Sequence, residues 1–116
     1  MTRKSFTAVI ERNAKLSENF ETEPYESAWA GEARWFIRIT ELTGDGAEIR
    51  ITPQVSPDGL FWCDEGTHIP TITEAGLYSF SLRDFGHWLR LSGEVTGTAG
   101  KEPAEARVII YLALKS

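Results

Sequence analysis

At 116 residues, with 17 acidic against 12 basic side chains and a formal net charge of -5, the chain has the length of one domain and a charge that disfavours nucleic acid as a partner. A domain of this size removes roughly two thirds of its unfolded surface from water, so it needs no covalent staple. Cys63 is the sole cysteine, which excludes an internal disulfide and fits a reducing, cytoplasmic origin.

The first residues lead into an alternating segment instead of a continuous apolar run, so neither a secretory leader nor a transmembrane span is expected, and no membrane partner. Over residues 5–16, Phe6, Ala8 and Ile10 alternate with Thr7 and Glu11, which predicts a half-buried strand in which Val9 breaks the pattern. The acidic residues 18–29 predict a short strand near Phe20 and then a loop. Residues 33–42 form a strand, with Trp35, Ile37 and Ile39 on one face and Arg34, Phe36, Arg38 and Thr40 on the other. Thr43-Gly44-Asp45-Gly46 reads as a hairpin turn into a return strand, which buries Ala47, Ile49, Ile51, Pro53 and Val55. Pro53 cannot donate to a ladder, so this strand belongs at an edge or at a bulge.

The sharpest local signal follows in Ser56-Pro57-Asp58-Gly59-Leu60-Phe61-Trp62. Pro57 presets φ for a turn, Asp58 bonds its own backbone, and Gly59 accepts positive φ without steric cost. The corner is expected to project as an acidic tip, with Trp62 anchoring its base. A brief strand is expected over 60–63 and another over 68–73, before Glu74-Ala75-Gly76 turns the chain. Leu77, Ser79 and Ser81 then alternate with Tyr78, Phe80 and Leu82. Over residues 87–96, Leu89, Leu91 and Val95 oppose Trp88, Arg90, Ser92, Glu94 and Thr96, while Gly93 falls on the apolar side. In the closing strand, residues 104–115, Val108, Ile110, Leu112 and Leu114 make the core face, and Ile109, Tyr111 and Ala113 make the other face apolar as well. These segments predict an all-β fold over residues 1–116: a single antiparallel β-sandwich, jelly-roll-like, of about eight short strands.

No constellation identifies a reaction. Cys63, Asp64, Glu65 and His68 are permissible zinc ligands, but a closed site would need further ligands that are missing, and Cys63 is expected to pack inward. Asp58, Asp64 and Glu65 suit calcium by type but form no ligand ladder. Ser81, Asp84 and His87 have the residue types of a triad without a nucleophile elbow. Residues 97–101 lack the hydroxyl and the helix of a phosphate loop. No cofactor, metal or catalytic residue is assigned.

The aromatic and charged residues carry more. No base lies between Lys15 and Arg34, where Glu18, Glu21, Glu23, Glu26 and Glu32 fall, and none lies between Arg50 and Arg83. Arginines instead sit on strands, which predicts an electrically polarised surface. Phe36, Trp88, Ile109 and Tyr111, together with Arg34, Arg38, Arg90 and Arg107, have the composition of a protein interface, rich in aromatics and arginine. The alternative is an aromatic platform of Trp62, Trp88 or Tyr111 that stacks on a carbohydrate.

In its alternating strands, the Ser56 to Gly59 corner with Trp62, and the pattern Leu89-Arg90-Leu91 through Val95-Thr96-Gly97 into the last strand, the chain resembles the small jelly-roll decoration or cement proteins of bacteriophage capsids. The resemblance implies an oligomeric, non-enzymatic protein on a capsid or tail lattice, hence a place on the virion surface. The expectation is therefore a structural assembly protein that associates with itself and with a larger protein shell. Its acidic segment 18–32 would meet an arginine-bearing strand face of a neighbour. The alternative is a carbohydrate-binding module.

Overall fold

Alternation gives each long strand one apolar face, and two such faces must meet to leave water. The computed structural model describes residues 5–98 and 103–116, so part of the 97–101 stretch lies outside the described residues. Among the described residues every regular element is a strand: β1 (Ser5–Leu16), β2 (Phe20–Glu21), β3 (Tyr25–Glu26), β4 (Glu32–Thr43), β5 (Glu48–Ser56), β6 (Cys63–Asp64), β7 (Gly76–Arg83), β8 (Trp88–Thr96) and β9 (Glu105–Lys115). The first sheet runs β1-β9-β4-β7 and the second β2-β8-β5-β6, with β3 also on β8. All pairings are antiparallel. The pairs β1 with β9, β2 and β3 with β8, β4 with β7, and β5 with β6 nest inside one another. Such nesting is a long hairpin wrapped over itself, the topology of a jelly roll.

The expected core faces meet between the sheets. Trp35, Ile37, Ile39, Val108, Ile110, Leu112 and Leu114 come from the first sheet, and Ile49, Ile51, Leu89, Leu91 and Val95 from the second; all are buried. Gly93 falls on the apolar side because Phe20 occupies its side-chain space: a Cβ there would collide with the Phe20 ring. Along one open flank Phe6 stacks on Tyr25, with ring centroids 6.4 Å apart, and joins β1 to β3.

Four expectations change. The brief strand expected over 60–63 becomes β6 at Cys63–Asp64, because residues up to Trp62 are taken up by the corner. The 43–46 turn does not close a hairpin, because β4 pairs with β7 and β9 whereas β5 pairs with β6 and β8 in the other sheet. Gly44 and Gly46 have φ of 107° and 64°, so the chain does turn sharply, but the turn carries it across the sandwich. It is held there by the connection from β8 to β9, which crosses at the same end. Thr98 N–H donates to the Asp45 carbonyl at 2.8 Å, and Gly44 lies so close to Pro103 and Ala104 that a Cβ would meet backbone at 2.7 Å. The expected 68–73 strand reduces to one bridge, in which Ile72 and Ile49 exchange both backbone hydrogen bonds at 2.9 Å. Cys63, expected to pack inward, is exposed. It lies on the two-residue edge strand β6, opposite Val55 at the end of β5.

Pro53 sits where a missing donor is tolerated. On its β6 side the ladder is short, and the Pro53 carbonyl there accepts the Glu65 N–H at 2.8 Å.

The seat of Phe20 on Gly93 generates a test. Gly93→Ala should destabilise the domain by about 1–3 kcal/mol through overpacking, read by denaturant unfolding. In a Phe20→Ala background the same substitution should cost distinctly less, because the ring it collides with is gone.

Candidate interaction surfaces

Register decides which outward side chains become neighbours. On the first sheet Phe36 lies opposite Tyr111 on one side and Ser79 on the other, and Val9 lies opposite Tyr111, which makes a row across all four strands. The next row sets Arg38 between Ile109 and Leu77, and another sets Arg34 between Ala113 and Ser81. Phe36, Ile109 and Tyr111 are half-buried by one another, whereas Leu77 is 66% and Val9 41% exposed. Arg34 donates to Ser79 Oγ at 3.1 Å, and Arg107 pairs with Glu41 at 3.7 Å. A shallow hollow of about 270 Å³ opens beside Phe36, with Arg34, Arg83 and Lys115 in its wall and Glu32 as their acidic neighbour.

Phe36, Ile109, Tyr111, Arg34, Arg38 and Arg107 thus share one uncovered face. Trp88 and Arg90, expected beside them, do not: they lie on the outer side of β8, in the other sheet, because alternation fixes a strand's outward phase and not the sheet it joins.

On that second face one end is tied up from within, while Arg50, Glu94 and Thr96 at the other end stay exposed. The Arg90 guanidinium lies 4.3 Å from the Trp62 ring centroid; its Nε donates to Gln54 Oε1 at 2.8 Å and its NH2 pairs with Glu21 Oε2 at 2.6 Å. Gln54 in turn donates to Asp64 Oδ1 at 3.0 Å. One chain of contacts therefore spans β2, β8, β5 and β6. Glu21, from the acidic segment expected to meet a neighbouring molecule, is spent on an arginine of its own chain. Trp62 is covered by Arg90 and Trp88 lies under the corner, so of the three residues proposed as a sugar platform only Tyr111 stands on the open face.

The corner is built from Ser56 and Asp58. The buried Ser56 hydroxyl accepts the Gly59 N–H at 2.8 Å and the Asp58 N–H at 3.2 Å, and donates to Asp58 Oδ1 at 3.0 Å. That same carboxylate oxygen accepts the N–H groups of Leu60 at 2.8 Å and Phe61 at 3.1 Å. These backbone donors, Leu60 first and then Phe61, hold the Asp58 carboxyl below its ordinary value of 3.8. Gly59 takes φ of 79°, and a Cβ on it would sit 3.3 Å from the Trp88 indole. Pro57 leads into this knot from the exposed side.

The tip keeps the exposed, ionised Asp58 that the sequence led one to expect, and adds an apolar part to it. The Asp58 carboxylate turns onto the backbone, and beside it the knot presents Leu60 at 76% and Phe61 at 77% exposure. This apolar tip was missing from the residues singled out by sequence, and its signal was the Asp58 spacing to two successive amides. Among the described residues no group of three or more His, Cys, Asp or Glu side chains is placed to hold a metal ion.

No protein-family model matches the chain, and no curated protein matches it.

Two outcomes test the corner. Because the folded carboxyl has a lowered pKa, Asp58 adds stability that is fully present above the unfolded value and is lost as the pH falls through the folded one. Thermal melts from neutral pH down to about pH 3 should therefore show an acid-sensitive component that Asp58→Asn removes. Gly59→Val should cost about 1–3 kcal/mol in chemical denaturation, since a β-branched residue is strained at that φ.

Proposed function

We propose that this protein is a non-enzymatic assembly module, which associates with itself and docks onto a larger protein shell such as a phage capsid or tail. The observation that carries this reading is the contrast between the two outer faces. Among the described residues, one has its aromatic end held under its own Arg90 network and is otherwise polar, and the other leaves Val9, Phe36, Ile109, Tyr111 and Leu77 without cover among arginines. Aromatic and arginine side chains on a flat surface are what protein contacts enrich, and lysine, which they deplete, is absent from the centre of this face. The hollow lined by Arg34, Arg83 and Lys115, with Glu32 beside Arg83 as its one carboxylate, keeps an excess of positive charge that suits an acidic segment of a neighbour. Leu60 and Phe61, on a turn fixed by Ser56 and Asp58, supply a second apolar contact that loses little entropy on binding.

Sedimentation or sizing across protein and salt concentrations tests the reading, which a strict monomer at high concentration would overturn. Tyr111→Ala should weaken association by about 1–3 kcal/mol while changing monomer stability less. Loss of folding with no separate effect on association would assign Tyr111 to the core.

A further inference from the structure

A sheet edge exposes unpaired N–H and C=O groups, and folded proteins blunt such edges with bulges, charges, short strands or cover. The two sheets here have four flanks. The β1 flank is broken by register shifts between Val9 and Glu11 and between Glu11 and Ala14, carries Glu11, Arg12 and Lys15, and holds Asn13 at φ of 50°. In the second sheet the flanks are the two-residue β2 and β3 at one side and the two-residue β6 at the other. These three are protected by devices of known kind.

β7 has none of them. Its eight residues pair with β4 in unbroken register from Glu32–Arg83 to Ile39–Gly76, with no proline, no lysine and no bulge. Among the described residues no backbone N–H or C=O of residues 77–82 is hydrogen-bonded to backbone outside β4; the Tyr78 hydroxyl donates to the Glu74 carbonyl at 2.6 Å, at the start of the strand. The side chains along this edge are Leu77, Ser79 and Ser81, all exposed, and Tyr78 and Phe80, both half-buried at the lip of the sandwich. Its one charge, Arg83, lies at the end.

We propose that β7 is the association edge of this protein, and that its partner is the β7 of a second copy, joined antiparallel across a two-fold axis near Ser79. The inference rests on the self-association reading above and names its contact. A strand is self-complementary in this arrangement, because a two-fold axis returns each outward N–H to an outward C=O of the same segment. With Ser79 on the axis, Leu77 meets Ser81 and Tyr78 meets Phe80 of the second copy, so exposed side chains meet exposed ones and half-buried rings meet each other. Arg83, which lies 3.9 Å from Glu32 of its own chain, comes opposite the bend at Glu74 and Ala75 of the second copy, so a further carboxylate approaches it, and this happens twice. Asp84, at φ of 53°, ends the strand at that point. The product is one continuous eight-stranded sheet, and its outer side joins the two Phe36–Tyr111 faces into a single docking surface.

Hydrogen exchange of the unmodified protein, measured as a concentration series beside sedimentation, tests this. The amides of residues 77–82 that point away from β4 should slow in proportion to the ratio of protein concentration to Kd as dimer forms. Ser79→Lys, which sets two like charges on the axis, should raise the dimer Kd at least about tenfold, while Ser79→Thr should leave it near wild type. An oligomer in which β7 exchange stays unchanged, or a Ser79→Lys variant that dimerises normally, overturns the edge assignment and leaves self-association standing. A strict monomer overturns both.

Discussion

Every strand before residues 56–62 finds its partner at a matching distance after them, so the corner is the fold point of the whole chain. The chain between β5 and β6 must reverse within a few residues, or the outer pairs β4 with β7, β3 and β2 with β8, and β1 with β9 lose their register in turn. Ser56 and Asp58 meet that demand locally by supplying acceptors for the amides that a tight turn orphans, so the reversal is specified by the residues that make it. The outermost pair is the opposite case. β1 and β9 lie far apart in sequence, so their pairing carries the largest loop-closure cost and depends on the apolar faces that the inner pairs have already assembled.

The nested order explains which parts of the molecule were legible in the sequence. Period-two alternation located the long strands and their core faces, because a strand buried on one side reads the same wherever it lies. It identified Trp35, Ile37 and Ile39 and, from the other end, Val108, Ile110, Leu112 and Leu114. Alternation carries no information about sheet membership. Thr43-Gly44-Asp45-Gly46 has the chemistry of a reversal, and a reversal serves a hairpin and a crossing between sheets equally well. What makes it a crossing is the contact of Gly44 with Pro103 and Ala104, more than fifty residues away in sequence. The same blindness grouped Trp88 and Arg90 with Phe36 and Tyr111, whose strands belong to the opposite sheet. The exposure of Cys63 has a related cause: alternation does not tell a long central strand from a two-residue edge strand, and only the former buries its inward side chains fully.

The two outer faces show how one composition yields different surfaces. Arg90 and Arg38 occupy equivalent outward positions on central strands, and sequence treats them alike. Arg90 has Glu21, Gln54 and Trp62 around it because the short β2 and the corner both fold against β8, and its side chain is only 19% exposed. An isolated surface ion pair contributes little, but here the guanidinium is shared among a carboxylate, an amide and an aromatic ring, so it joins elements that have few other contacts. Arg38 has Ile109 and Leu77 beside it and, among the described residues, no short segment paired above it.

The open face is therefore a consequence of topology as much as of side-chain choice. In this wrapped hairpin the acidic segment that holds β2 and β3 is committed to β8 by Phe20 on Gly93 and by Tyr25 opposite Leu89, and it cannot also cover β4 and β9. The connection from β6 to β7 is likewise drawn to the sandwich interior by Ile72, whose exchange of hydrogen bonds with Ile49 fixes it beside β5. Among the described residues both long connections that might have covered the first sheet are thus anchored to the second. An apolar face and a flat strand edge are left on the same sheet, where contact with another molecule is the remaining way to take them out of water.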